Sequence, residues 1–232
     1  SGAFYALDGA SGFKRDFSVD DPSSVYAVHQ RVPLWALYLI CLVAPIVLQW
    51  FISIFTIRSW LDVHHSTLGV LLSLAITGVI TQFMKITAGR PRPDLLNRCG
   101  VVIGTVDPPY GLSAVAICTQ TNGRILEDGF RSFPSGHSSL SFAGLAFLSF
   151  YLAGKLRLFQ RPVRGHALKA WICVAPLCGA ALVAITRTMD YRHHWQDVFV
   201  GGALGFVVAY FSYRLYYPPL TAKFSHRPYG PR

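Results

Sequence analysis

The sequence predicts an all-α, polytopic membrane helix bundle with five visible spans and its chemistry on short helices or loops at one end. Three observations lead there. The 232 residues are 52% apolar and only 14% charged, whereas an ordinary soluble domain carries about a quarter charged residues. That scarce charge clears out of five long stretches. What remains, 21 basic against 11 acidic side chains, is sorted unequally among the connecting loops. Disordered, collagen-like and coiled-coil chains are excluded. A soluble fold would have to hide five helices that are apolar around their whole circumference, and a domain of this length lacks the interior for it.

The first stretch, Leu34 to Ile57, contains no Asp, Glu, Lys, Arg or His. As a helix rising about 1.5 Å per residue it would reach about 36 Å, enough to cross a bilayer core. Pro45 lies within it. In water that proline would break a helix, but in a bundle neighbouring helices satisfy the freed backbone groups. Ser66–Met84, Ser138–Gly154, Ala170–Thr186 and Val198–Tyr213 follow, each closed by a charge at one or both ends. Residues 1–33 read as an N-terminal extramembrane segment, 34–217 as the membrane domain, and the proline-rich 218–232 as a C-terminal tail. The sequence starts at Ser1 without a Met and shows no signal peptide, so part of the native N-terminus is expected to be missing.

Threading five spans sorts the loops onto two sides. One side receives the N-terminal segment and the 85–133 and 187–197 loops, with 11 Lys/Arg and 10 Asp/Glu; the other receives 58–65, 155–169 and everything after Tyr213, with 10 Lys/Arg and the single acid Asp62. Lys155, Arg157, Arg161, Arg164 and Lys169 dominate the contrast. By the positive-inside rule the basic side is cytoplasmic, which puts the C-terminus there and the 85–133 and 187–197 loops in the lumen or outside the cell. The basic excess is therefore a topology signal, and no nucleic-acid partner is expected. Cys41, Cys173 and Cys178 fall inside spans as packing residues. Cys99 and Cys118 share the loop assigned to the oxidising side, where a disulfide is chemically permitted, although spacing alone does not pair them.

Three clusters fall on that same side. The first is Lys85-Ile-Thr-Ala-Gly-Arg-Pro-Arg92-Pro93, the second Pro134-Ser135-Gly136-His137, the third Arg187 to Asp197. Each alone has an ordinary reading: an anchoring lysine at a span end, a capped helix start, an interfacial histidine. Together they suit a phosphate ester carrying close to two negative charges. Lys85, Arg92 and Arg187 supply cations, the arginines as bidentate forks. The Ser135 and Gly136 amides, at a helix N-terminus, are expected to add donors. If 193–197 is helical, His193 and Asp197 are four apart and share a face, so the carboxylate can hold one ring nitrogen of a nucleophilic His193. His137 is left as the acid that protonates the departing alkoxide and then activates water. Arg90, also followed by a proline, reads as a supporting charge. His194 lacks the four-residue relation to Asp197 and could cap or hydrogen-bond nearby; Asp190 either orients an arginine or forms a surface pair.

These blocks resemble the signature of the type 2 phosphatidic acid phosphatase superfamily, K-x6-R-P, P-S-G-H and S-R-x5-H-x3-D. Asp128-Gly-Phe-Arg-Ser-Phe and Asp190-Tyr-Arg-His-His-Trp-Gln-Asp197 look like its lipid phosphate phosphatase branch, particularly fungal diacylglycerol pyrophosphate phosphatases. The resemblance runs from about Phe17 onward. It implies a six-helix membrane enzyme with an extracytoplasmic site that hydrolyses lipid phosphates without a metal or other cofactor, His193 acting as nucleophile and His137 as acid. Thr186 replaces the family's Ser and keeps a hydroxyl. Five spans stand where the family has six, and the sixth would precede Phe17. Phosphatidic acid, its lyso form and diacylglycerol pyrophosphate are the expected substrates; sphingoid phosphates, isoprenoid diphosphates and sugar phosphates are alternatives on the same scaffold. Two rival classes share these residues: a metal site on His137, His193, His194 and Asp197, disfavoured by the three cations beside it, and a non-hydrolytic lipid-phosphate binding or transport protein.

Overall fold

The structure, a computed structural model, describes residues 12–19, 30–102, 104–160 and 167–230. Arg161 and Arg164, much of the 1–33 segment and the last two residues of the tail lie outside the described residues. The fold is all-helical. The first membrane-length helix, α1 (Leu34–Thr56), alternates α-helical turns with π-helical ones at Leu39–Val43 and Ser53–Ile57. The first wide turn immediately precedes Pro45, near the start of the next α-helical segment, where the ring removes an N–H and crowds the preceding turn. The helix ends at Arg58 in the left-handed conformation, φ 54°.

Helix α2 (Trp60–Ala88) starts at the Ser59 cap, whose hydroxyl accepts from the Asp62 N–H, and stops at Gly89, φ 55°. A side chain at Gly89 would also collide with the carbonyl of Phe13. Two short helices, α3 (Leu95–Cys99) and α4 (Gly123–Gly129), build the loop domain above the bundle. There Cys99 and Cys118 are joined in a disulfide, and Phe17 pairs with Ser113 through two backbone hydrogen bonds. Three long helices complete the chain: α5 (Gly136–Lys155), α6 (Ala167–Met189) and α7 (Trp195–Tyr216).

Helix α5 stands in the middle, packed against α7, α6, α2 and α1. Small residues allow this: a Cβ on Gly144 would strike the Cys41 carbonyl of α1, and one on Gly205 of α7 the Ser139 carbonyl. Its serines point inward and bond to neighbours, as Ser149 Oγ does to the Cys173 carbonyl at 2.6 Å and Ser139 Oγ with Thr81 Oγ1 at 2.9 Å. Helices α1, α2, α6 and α7 are by length and composition able to cross a membrane. They carry exposed Phe83, Leu182, Phe199 and Val207 on their outer faces, the arrangement lipid favours. The fifth expected span, Ser138–Gly154, forms as α5 but is less apolar, because its serines and glycines serve helix contacts.

At the end remote from the loop domain, Asp62 is fully buried. Its carboxylate accepts from Lys155 Nζ at 2.5 Å, Tyr217 OH at 2.9 Å, Ser53 Oγ at 2.5 Å and Tyr151 OH at 2.8 Å. The segment after Tyr217, read from its composition as a tail, makes defined contacts. Through residue 230 it folds back under the bundle, where Lys155 donates to the His226 carbonyl and Gln160 to the Ala222 carbonyl and Ser225 hydroxyl. Those contacts run largely to backbone carbonyls, which leave no pattern in the sequence.

Candidate active site

The ends of α2 and α6 and the starts of α1, α5 and α7 meet beneath the loop domain around a cavity of about 350 Å³. Lys85, Arg92, Gly136, His137, Arg187 and His193 all line it, so stretches about a hundred residues apart converge on one space. Arg192, Asp128, Gln82 and Gln30 line it too, while Leu34, Leu37 and Tyr38 of α1 form an apolar wall. A larger apolar groove of about 560 Å³ lies between α6 and α7, but no titratable side chain lines it. The chemistry belongs to the smaller, polar cavity.

Each cation is held by a local device. Lys85 occupies the last turn of α2, and a Cβ on Gly136 would sit 3.3 Å from its Nζ, which places the ammonium against the start of α5. Arg92 donates through Nη2 to Asp128 at 2.7 Å, and its N–H donates to the Gly129 carbonyl. Asp128 also accepts from Arg98 at 2.8 Å. Burial alone would raise the Asp128 pKa, but Arg92 and Arg98 outweigh it and hold the carboxylate below its usual range. Arg187 donates to Asp190 at 2.8 Å and to Gln30 at 3.0 Å. Asp190 is therefore no surface pair: its side chain is 3% exposed and also accepts from Arg31.

The histidines have distinct settings. His193 Nδ1 lies 2.7 Å from the Ser132 carbonyl. A carbonyl can only accept, so Nδ1 carries the proton and Nε2 keeps its lone pair. Burial, then Arg92 and Lys85, push the His193 pKa well below the ordinary imidazole value. His137, one residue before the Ser138–Gly154 stretch, donates from Nε2 to the Val32 carbonyl at 3.1 Å. Its pKa is pushed down to about 3 by burial and then by Arg187, against the raising effect of the Val32 bond. Both shifts favour the neutral ring.

Two expected contacts are not made. Asp197 does not hold His193, because α7 begins only at Trp195 with His194 as its cap; His193 stands outside the helix and the four-residue face does not exist. The Asp197 carboxylate instead accepts from the Ser132 hydroxyl at 2.5 Å, the His194 N–H at 3.1 Å and Arg90 Nη1 at 2.6 Å. Arg90, expected only as a supporting charge, is thereby tied to the site. Nor does Ser135 turn its amide to the cavity: its N–H donates to the Asp197 carbonyl at 3.0 Å. Gly201 permits this, since a Cβ there would lie 2.6 Å from the Ser135 oxygen. Ser135 is the α5 cap, leaving Gly136 on the cavity wall. Among the described residues no three His, Cys, Asp or Glu side chains are grouped to hold a metal.

Spacing did not single out Ser132, Arg192 or the Val32 carbonyl. Asp128, Ser132 and Arg192 lie in segments that resembled the lipid phosphatase branch, and that was their signal; the Val32 carbonyl has none.

A helical membrane bundle with a cationic, two-histidine cavity under a disulfide-closed loop domain defines a class of anion-handling membrane proteins. The chain belongs to the PAP2 superfamily, whose model matches residues 66–219. It is 45% identical over 194 residues to lipid phosphate phosphatase 2 of Arabidopsis thaliana, covering 81% of this chain and 63% of that protein. It is 40% identical over 222 residues to diacylglycerol pyrophosphate phosphatase 1 of Saccharomyces cerevisiae, covering 93% and 75%. A probable diacylglycerol pyrophosphate phosphatase 1 of Schizosaccharomyces pombe is 39% identical over 90% of this chain and 74% of that one. The chain spans less than two thirds of the Arabidopsis relatives, 63% and 55% of the first two. With its apolar helices, this relationship makes the chain a multi-pass membrane protein.

Proposed function

We propose that the protein is an integral-membrane phosphatase that hydrolyses phosphatidic acid, lysophosphatidic acid or diacylglycerol pyrophosphate and releases inorganic phosphate without a metal, the membrane domain spanning 34–217. One observation carries the reading: His193, whose Nδ1 proton goes to the Ser132 carbonyl and whose Nε2 is thereby left as the acceptor nitrogen, lines the same cavity as Lys85, Arg92 and Arg187. Cations bind the phosphate oxygens and neutralise charge that would repel a nucleophile. Nε2 attacks phosphorus, the P–O bond to the leaving group breaks, and protonated His137 gives its proton to the departing oxygen, that of an alkoxide from a phosphate monoester or of phosphatidate from diacylglycerol pyrophosphate. Water then attacks phosphorus while His137 takes a proton from it, the P–N bond breaks to return the lone pair to Nε2, and inorganic phosphate leaves. The dianion supplies the field His137 needs: two negative charges beside the ring oppose Arg187 and favour the imidazolium.

The Leu34, Leu37 and Tyr38 wall on α1 supports a lipid substrate, because it gives acyl chains an apolar surface continuous with a membrane-length helix. The charge asymmetry of the loops supports a site on the lumenal or extracellular side and a cytoplasmic C-terminus. The test is a substrate panel, phosphate release being measured from purified protein in excess chelator. Turnover of lipid phosphates that persists with chelator, is blocked by vanadate and is absent in His193→Ala is the expected result. Loss of turnover in chelator with recovery on adding zinc or magnesium would favour the metal reading, and binding without phosphate release the transport reading.

A further inference from the structure

We propose that Ser132 is a positioning residue for His193, and that Asp197 acts on the nucleophile through Ser132 instead of by contact. This rests on the phosphohistidine reading and names the group that aims the ring.

Ser132 lies in the turn between α4 and α5 and is fully buried. Three of its groups are committed. The N–H donates to the Arg90 carbonyl at 3.1 Å, the hydroxyl donates to Asp197 Oδ2 at 2.5 Å, and the carbonyl accepts the His193 Nδ1 proton at 2.7 Å. Arg90 closes the circuit by donating from Nη1 to Asp197 Oδ1 at 2.6 Å. Arg90, Ser132 and Asp197 thus form a closed ring of three hydrogen bonds, two of them charge-assisted, and the Ser132 carbonyl projects from that ring to the nucleophile.

The arrangement has a chemical consequence. A carboxylate directly on Nδ1 would favour imidazolium, the form with no lone pair to attack. A carbonyl fixes the same tautomer without placing full negative charge on the ring. Its weakness is that a turn carbonyl is free to swing, and the Arg90–Asp197 pair removes that freedom from two sides. Asp197, at the third position of α7, already caps the helix through the His194 N–H, so its own position is fixed by α7. Aim is therefore passed from α7 to the Ser132 turn and from the turn to the ring.

Ser132→Ala keeps the carbonyl and removes the hydroxyl, which makes it the informative variant. The expected result is a kcat lower by about 10- to 100-fold, the range that misplacement of a reacting group produces, with KM within about twofold and the phosphoenzyme formed more slowly in single turnover. Ser132→Thr, which restores a hydroxyl, recovers most of the rate. Ser132→Ala combined with Asp197→Asn is no slower than the slower single variant, because both cut one path. Near-normal kcat in Ser132→Ala would overturn the proposal, as would a double variant that loses the product of the two single losses. If Ser132→Ala does not fold, Ser132→Cys, which keeps the size and a weaker donor, gives the same comparison. Carbethoxylation of His193 by diethyl pyrocarbonate is a readout independent of catalysis, and it slows in Ser132→Ala if the ring has lost its aim. Failure of the parent reading looks different: His193→Ala would turn over lipid phosphate whatever happens at Ser132.

Discussion

Neutral imidazoles in a cationic cavity make a measurable demand on the folded state. His137 and His193 both titrate below the ordinary value of about 6.5, His137 near 3. The unfolded chain then binds protons that the native site refuses, so stability falls as pH drops below 6.5, by roughly 1.4 kcal/mol per pH unit for His137, with His193 acting in the same direction. Thermal unfolding in detergent between pH 7 and 5 should show that slope, and His137→Ala should flatten it; an unchanged slope would mean that His137 is not held neutral. Asp190 gives a second prediction. Its side chain is buried and braces the Arg187 fork, so Asp190→Ala should raise KM for a phosphate ester by about tenfold while changing kcat less, as expected when ground-state and transition-state binding are lost together. A shift confined to kcat would show that Arg187 needs no brace. The identities and spacings of Lys85, Arg92, His137, Arg187 and His193 were legible in the sequence because each is a charged or titratable side chain at a span end. The roles of Val32 and Ser132 were not, because each meets a histidine through a backbone carbonyl, which every residue possesses.

At the scale of elements, the cavity depends on how closely α5 and α7 approach. Gly205 lets the backbones touch, and a methyl group there meets the Ser139 carbonyl, which cannot retreat. Gly205→Ala should cost about 1–3 kcal/mol, the range for overpacking, and should lower activity because Ser135 and Asp197 hang from the same contact. Gly123→Ala, in open space at the start of α4, should change neither. The apolar stretches announced these helices, but the condition that 193–197 be helical is not met, since α7 starts at Trp195. The pair His193 and Asp197 looked helical because helical spacing is the simplest link between a histidine and an acid four apart. Chain geometry chose otherwise: a histidine cap with an acid three residues on completes a capping box, and this begins the helix beyond the nucleophile.

For the whole molecule, the two ends are chemically opposite: a cationic cavity under a disulfide-closed loop domain, and a buried acid clamped by Lys155 above a folded-back C-terminal segment. Asp62→Ala would leave Lys155 buried without its partner and should destabilise by about 3–5 kcal/mol, much of which Asp62→Ala with Lys155→Met should recover. Orientation is open to labelling. A membrane-impermeant maleimide should reach Val106→Cys from the lumenal or extracellular face and Phe224→Cys only after permeabilisation, both positions being exposed; the reverse pattern would invert the proposed topology. Which clusters share an end followed from counting spans, so that much was legible, whereas the return of residues 218–230 was not. The central claim is that His193 carries the phosphoryl group, and trapping tests it most directly. Rapid acid-free quenching of the unaltered protein during turnover of phosphorus-labelled phosphatidic acid in excess chelator should leave label on His193, stable to base and labile to acid, and none on His193→Ala. Turnover by His193→Ala, or label on another residue, would contradict the account.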